Sequence, residues 1–350
     1  MEFTKEKTNI AKGAAICLMF SNHLYAFHDR FIHGNYYIPL IPFFDIEQQI
    51  GNFGSICVSI FIFLSGYGMF LGYSRSQKSP LNYCLNKLKS FYFTYWTYFL
   101  IFVPIGIVFS REVTFWNSNE PRYTADFRTF LAGFLGWSTH YDDEWWFVRM
   151  FVLILLFLCP LYIKILQHSR TLLFFISISV FLAAWILRID YTSLYGIFFW
   201  QISFAVGMLC ANSNFFSNRL IRAFDNSREL WFILCLFFCM IARAKFGAKI
   251  DFLIVVIVIY SLIRIIDQSK ILQRILSYLG SYSFPMWLIH SFFCYYYFQD
   301  FIYFPRWSPC IFILLTITSL LTAISIEKLR DYIGKYYVYL SSRLSQYLRQ

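Results

Sequence analysis

Two basic side chains near the start of the chain are of types that can do chemistry, and their spacing places them on one face of a helix. His23 lies in an apolar run, within Phe20-Ser21-Asn22-His23-Leu24, and Lys12 precedes it by eleven residues. In an α-helix this spacing returns to the same face after a rise of about 16 Å. An imidazole with an ordinary pKa of about 6.5 can take up and return a proton at neutral pH. A packing role for His23, with Lys12 extended toward water, fits the pattern equally well.

Two further ionisable residues, His290 and Arg149, lie inside apolar segments, where such groups are costly. His290 ends the segment Ser283-Phe284-Pro285-Met286-Trp287-Leu288-Ile289-His290, and a hydrogen bond between helices explains it somewhat better than a catalytic role. Arg149 needs an anionic or carbonyl partner. A bound substrate and the carboxylate of Asp142 are equally good candidates for that partner.

Lysines and tryptophans at the ends of other apolar runs are candidate binding groups. Lys87 and Lys89 precede a long apolar run and can bind phosphate as point charges, although an orientation signal explains them as well. Trp146 belongs to Asp142-Asp143-Glu144-Trp145-Trp146, which combines carboxylates with aromatic rings, as sugar sites do. For Trp146 a membrane-interface anchor is the stronger interpretation.

The composition predicts the elements that position these residues. Hydrophobic residues make up 59% of the chain and charged residues 14%, against about 25% charged in soluble domains. Apolar runs of roughly 17–23 residues match a bilayer core and must be helical there. We predict an all-α, polytopic transmembrane bundle of ten spans: Ile10–His28, Ile50–Tyr73, Ser90–Ser110, Trp145–Leu166, Thr171–Arg188, Ser193–Asn212, Glu229–Arg243, Ile250–Ile265, Leu279–Phe298 and Ser308–Ile326.

The distribution of charge predicts the orientation of the bundle. If the N-terminus is cytoplasmic, about two thirds of the 30 Lys and Arg residues fall on the cytoplasmic side, including Arg219 and Arg222. We therefore expect both termini in the cytoplasm, and we attribute the net charge of +11 to this bias rather than to nucleic-acid binding. The predicted domains are 1–327, which is transmembrane, and 328–350, an amphipathic cytoplasmic tail. The largest external loop is predicted at Arg111–Glu144. No metal-ligand cluster is visible.

Four stretches together resemble the integral membrane acyltransferase family 3. They are Ile10-Ala11-Lys12-Gly13 through His23, Ile60-Phe61-Ile62-Phe63-Leu64-Ser65-Gly66-Tyr67, Trp146-Phe147 followed by Pro160-Leu161, and Tyr282-Ser283-Phe284 through His290. The resemblance implies an enzyme that moves an acyl group, most simply acetyl, from cytoplasmic acetyl-coenzyme A to a hydroxyl of a surface glycan or lipid-linked saccharide. It also implies a multi-pass protein of a bacterial cell membrane, in contact with membrane lipid.

The resemblance also implies roles for particular residues. His23 and Glu327 are the catalytic candidates, and Lys12, Lys87 and Lys89 the donor-binding ones; Arg149, Trp146 and His290 are left for substrate. The family usually has Arg where this chain has these lysines, and Lys lacks the bidentate fork that Arg offers to phosphate. Two alternatives are a polysaccharide polymerase or flippase and a secondary transporter. The modest external loop disfavours the first, and the lack of an internal repeat disfavours the second.

Overall fold

The computed structural model describes residues 3–190, 192–218 and 228–347, with side chains to residue 336. The described chain is helical and contains isolated β-bridges, such as Ile38 with Trp307, but no strand. The predicted all-α class is therefore confirmed for these residues. Arg219, Arg222 and the last three residues of the predicted tail lie outside the described residues.

The described helices are interrupted more often than the apolar runs suggest. Two π-helical turns are among these interruptions, at Ile154–Leu158 and Phe292–Tyr296. The helices are α1 Lys5–Tyr25, α2 Ile46–Gly54, α3 Cys57–Ser74, α4 Pro80–Phe109, α5 Phe127–Phe134, α6 Trp146–Leu153, α7 Cys159–His168, α8 Arg170–Ile186, α9 Ile197–Asn212, α10 Glu229–Phe246, α11 Asp251–Ile266, α12 Lys270–Ser281, α13 Ser283–Ser291, α14 Gln299–Tyr303 and α15 Ser308–Tyr347.

Five helical segments of the described chain are long and apolar enough to cross a membrane. They are Ile46–Ser74, Pro80–Phe109, Asp143–His168, Leu194–Asn212 and Ser308–Tyr336. Arg170–Ile186 is apolar but shorter. These helices indicate a membrane protein, whereas the predicted number of ten spans is not confirmed, and the cytoplasmic location of both termini stays a prediction.

The predicted ninth span, Leu279–Phe298, is divided at Tyr282 between α12 and α13. The amphipathic α12 packs across the beginning of α1, and glycines bring the two backbones into contact. A Cβ on Gly13 would lie 1.9 Å from the carbonyl oxygen of Leu276, and one on Gly280 would lie 1.8 Å from that of Asn9. Small residues permit such close crossings between membrane helices. This crossing fixes the position of α1, which carries Lys12 and His23.

The last helix is longer than the sequence predicted. The predicted span ends at Ile326, but α15 continues without a break from Ser308 to Tyr347. The predicted domain boundary between residues 327 and 328 therefore falls inside a helix. Pro309 lies in the first turn of α15, where Pro is tolerated, and no Pro lies between Cys310 and Tyr347 to stop helix propagation.

Part of the predicted external loop Arg111–Glu144 runs back along α4. The ring of Tyr123 packs at Gly106, Phe130 packs on Phe99 with ring centroids 5.1 Å apart, and the Leu135 carbonyl accepts a hydrogen bond from Tyr92. Gly136, with φ of 74°, then reverses the chain. We call residues 123–141 the re-entrant hairpin, because they enter and leave on the same side of α4. The eight residues of α5 are too few to cross a bilayer.

The carbonyl groups at the tip of the re-entrant hairpin accept hydrogen bonds from side chains of α4 and α6. A helix leaves its last carbonyls without partners, and lipid offers no water to satisfy them. The pairs are Tyr95 Oη to Gly133 O (2.6 Å), Trp96 Nε1 to Phe134 O (2.8 Å), Tyr92 Oη to Leu135 O (2.8 Å) and Arg149 Nη1 to Trp137 O (3.2 Å). At its other end, α5 is capped by Asp126. Its carboxylate accepts from the Thr129 N–H at 2.7 Å, which lowers the Asp126 pKa.

Candidate functional site

A cavity of about 1030 Å³ follows α1 from Lys12, past His23, to Arg30. Residues of α3, α4, α6 and α13 supply much of the rest of its wall. Lys12 and Lys87 define what we call the Lys12 end, and Arg30, Asp143 and Glu144 define the Arg30 end. Five of the eight predicted site residues line this cavity: Lys12, His23, Lys87, Arg149 and Trp146.

The buried His23 side chain has a polar neighbour at each ring nitrogen. Its Nδ1 lies 3.2 Å from the hydroxyl of Tyr295, and its Nε2 lies 3.5 Å from Oε2 of Glu144. Tyr295 follows α13 in a π-helical turn, and Glu144 lies in the short 3₁₀ turn Asp143–Trp145 that precedes α6. His23 is thus fixed between two segments that are distant in sequence.

The hydrogen bonds of Tyr295 assign the His23 tautomer. Its hydroxyl has one proton, which it donates to the backbone carbonyl of His23 at 2.7 Å. The Tyr295 oxygen then accepts from Nδ1–H of His23. This leaves the lone pair on Nε2, which faces Glu144.

Glu144 is held in place beside His23 by a second contact. Its Oε1 accepts from Nη1 of Arg30 at 2.8 Å, while Oε2 faces His23. Arg30 stacks over the rings of Phe27 and Tyr295, at 4.2 and 5.1 Å from the centroids. A proton taken up at Nε2 of His23 would therefore meet a fixed carboxylate.

His290 lies behind His23 rather than in the cavity wall. Its ring is fully buried, with its centroid 4.7 Å from that of His23. Nδ1 donates to the Trp287 carbonyl at 2.7 Å, and Nε2 has no hydrogen-bond partner within the described chain. His290 thus packs on His23 and does not line the cavity, and its predicted contact with substrate stays a prediction.

The acidic run before α6 divides into two different environments. Asp142 is buried, and burial raises the pKa of its carboxyl well above the usual range. Its oxygens accept from the Ser291 hydroxyl and from the Glu144 N–H. The predicted alternative of an Arg149–Asp142 ion pair is therefore wrong. Asp143 is paired instead with Arg122, at 2.7 Å.

Arg149 lies in the cavity wall between the Lys12 end and His23. Arg149 follows Glu144 by five residues and precedes Phe151 by two. The ring centroid of Phe151 lies 5.1 Å from that of Phe91. Phe91 lies one turn beyond Lys87 on α4. The hydrogen bond that the structure shows for Arg149 goes to the carbonyl of Trp137 in the re-entrant hairpin.

The predicted donor-binding lysines separate into two groups. Lys12 and Lys87 line the cavity, and the Lys87 ammonium lies 5.5 Å from the centroid of the Tyr83 ring. Lys89 is exposed and lies outside the cavity wall. Lys87 and Lys89 are two positions apart on the helix, so the two side chains leave α4 in directions about 200° apart.

The last two predicted site residues, Trp146 and Glu327, also differ in whether they line the cavity. Trp146 lines the cavity, and its ring centroid is 6.2 Å from that of Trp200. Glu327 of α15 lies outside the cavity wall, where it accepts from the Tyr98 hydroxyl at 3.2 Å and pairs with Arg330. The structure thus does not bring Glu327 to His23.

Three residues that contact His23 or its partners were not predicted as site residues: Arg30, Glu144 and Tyr295. The sequence held one signal, because Glu144 belongs to an acidic run at the beginning of an apolar segment. The contact itself joins segments more than a hundred residues apart, which no local spacing indicates. Arg30 lies in the 3₁₀ turn His28–Arg30 after α1 and so lacks an α-helical register with His23.

Comparisons with known proteins place the chain in a family. Searches of curated proteins and of solved structures returned no match. One family model, described as an acyltransferase domain, matches residues 7–328, which is nearly the whole chain and includes every residue that lines the cavity. The chain therefore belongs to acyltransferase family 3.

Proposed function

We propose that this membrane acyltransferase moves an acetyl group from cytoplasmic acetyl-coenzyme A to a hydroxyl of a surface glycan or lipid-linked sugar. One observation carries the proposal: a single cavity holds His23 between two lysines at one end and a paired carboxylate at the other. The excess of basic residues beside Lys12 favours a cytoplasmic location for the Lys12 end. The donor is made there, and its phosphates would meet Lys12 and Lys87.

His23 acts as the base in this reaction. The acceptor hydroxyl gives its proton to Nε2 of His23 as its oxygen attacks the thioester carbon. The carbon–sulfur bond breaks, and the coenzyme A sulfur leaves and takes the proton from Nε2. Between the two transfers Glu144 stabilises the imidazolium, and Tyr295 keeps Nδ1 protonated.

A covalent route through an acyl-His23 is less compatible with this geometry. The acyl carbon would bond to Nε2, which faces Glu144 at 3.5 Å. An acyl group there would displace the carboxylate, whereas a proton there would be stabilised by it. Labelled acetyl-coenzyme A mixed with the protein, without acceptor, distinguishes the routes. We expect no label on His23, and a labelled His23 peptide would establish the covalent route.

The proposed function is tested by His23→Ala. We expect acetyl transfer to fall by about 10²–10⁴, the usual cost of losing a general base. The measurement is transfer of label from acetyl-coenzyme A per amount of folded protein, with thermal unfolding in detergent as the control for folding. Retention of more than about a tenth of the activity would make His23 structural. No transfer of label by the unaltered protein would favour a polymerase, flippase or transporter.

A further inference from the structure

The charged side chains that line the cavity are compensated at one end and uncompensated at the other. Seven Lys, Arg, Asp and Glu residues line it. At the Arg30 end, every such charge has an opposite partner. The pairs are Arg30–Glu144 at 2.8 Å, Arg122–Asp143 at 2.7 Å and Arg243–Asp251 at 2.8 Å.

The other three lining charges are all cationic. Lys12, Lys87 and Arg149 have no carboxylate within 4.0 Å among the residues that the structure describes. Arg149 lies about 8 Å beyond Glu144 along its helix, toward Lys87. All three cations therefore lie on the Lys12 side of His23. Arg149 uses one of its five N–H groups on Trp137, which leaves others for a ligand.

From this division we infer that the sugar unit that reaches His23 is uncharged, and that Arg149 binds the polyanionic donor rather than the acceptor. The inference rests on the proposed function and specifies its two substrates. Uncompensated charge in a membrane is costly, so three neighbouring cations favour a ligand with several negative charges. A nucleotide thioester has such charges, and a neutral acceptor has none.

The Arg30 end suits a neutral, hydroxyl-rich ligand. Any acidic sugar there would approach Asp143 and Glu144, and the described residues of that end supply no uncompensated cation to attract it. Hydroxyl groups can instead bond to Asn52, Thr139 and Thr192, which line the same end. Trp146 offers an apolar ring face to the carbon side of a sugar.

The acceptor half of the inference is tested with matched neutral and acidic sugars. The probes are the methyl glycosides of glucose, galactose and mannose and the corresponding methyl uronides, given to the purified full-length chain with saturating acetyl-coenzyme A. The readout is the sugar acetyl ester by mass spectrometry. We expect at least one neutral glycoside to react with kcat/KM at least about tenfold above its uronide.

Two outcomes would overturn this half. One is a uronide that reacts as well as its neutral partner. The other is that no neutral glycoside reacts while the protein still releases coenzyme A from the donor. Failure of the proposed function looks different, because then neither sugar acetylation nor release of coenzyme A would be seen.

The donor half is tested with Arg149→Gln and Arg149→Lys. We expect Arg149→Gln to raise the KM for acetyl-coenzyme A by roughly tenfold, with the KM of the neutral glycoside unchanged. Arg149→Lys retains the charge and should restore most of the donor KM. A change in the acceptor KM alone would overturn the assignment. So would an unchanged donor KM in both variants. Thermal unfolding of each variant reports the separate contribution of Arg149 to the re-entrant hairpin.

Discussion

The charged side chains are unpaired at one end of the cavity and paired at the other. At the Lys12 end, Lys12 and Lys87 have no acidic partner among the described residues. At the Arg30 end, Glu144 and Asp143 are each held by an arginine. Unpaired cations attract a ligand, whereas paired groups keep a fixed orientation and add little net charge. The comparison separates donor attraction from the positioning of His23.

The largest effect at the Arg30 end is expected for Glu144→Gln. Loss of the carboxylate removes the group that stabilises protonated His23, so we expect kcat to fall about 10²-fold and the donor KM to stay unchanged. Asp143→Asn is the matched control, because Asp143 lines the same end without contacting His23. Steady-state kinetics measure kcat and the donor KM of both variants. Equal losses in the two variants would show that the acidic run acts only as a unit.

At the Lys12 end we expect smaller effects, and we expect them on the donor KM rather than on kcat. Lys12→Ala and Lys87→Ala should each raise the donor KM by roughly tenfold while kcat is retained, because a charged hydrogen bond to phosphate is lost. Lys89→Ala is the control on the same helix and should change neither constant. If Lys89→Ala weakens donor binding as much as Lys87→Ala does, phosphate binding extends beyond the cavity.

Tyr295→Phe sharpens the comparison within the Arg30 end. The ring remains, but His23 loses the oxygen that accepts from Nδ1–H. We expect kcat to fall about two- to tenfold, which corresponds to one neutral hydrogen bond, with both KM values unchanged. Kinetics with each substrate varied in turn measure this. A rise in either KM at constant kcat would assign Tyr295 to binding instead.

The smallest effect is expected outside the cavity, for Tyr95→Phe. It leaves the Gly133 carbonyl without its donor. Because such bonds in membrane proteins contribute about 0.6 kcal/mol on average, we expect a slightly lower unfolding temperature and a kcat within about twofold of the unaltered protein. Tyr36→Phe, at an exposed tyrosine, should leave the unfolding temperature unchanged. A large loss of activity in Tyr95→Phe would connect the hairpin to catalysis.

The sequence predicted what depends on local spacing. Lys12 and His23 share a helix and line one cavity, as their separation indicated. The family was identified from four short stretches and is confirmed. The sequence prediction grouped Lys87 with Lys89, although helical periodicity alone indicates that the two side chains lie on different faces of α4.

Contacts between distant segments were beyond the reach of sequence patterns. The pairing of Glu144 with His23 depends on how α6 packs against α1, and the outward position of Glu327 depends on how α15 packs against α4. Apolar runs also do not show where a helix breaks. The division at Tyr282 and the re-entrant hairpin therefore required the three-dimensional structure.

The re-entrant hairpin has a consequence for the order in which the protein assembles during synthesis. Tyr92, Tyr95 and Trp96 precede the hairpin in the chain, so three of its four bonded carbonyls find partners as soon as it emerges. The fourth, that of Trp137, waits until Arg149 has been made. The hairpin returns to the side from which it entered, so it does not count as a membrane crossing. The helices made after it therefore cross in the same directions as they would without it.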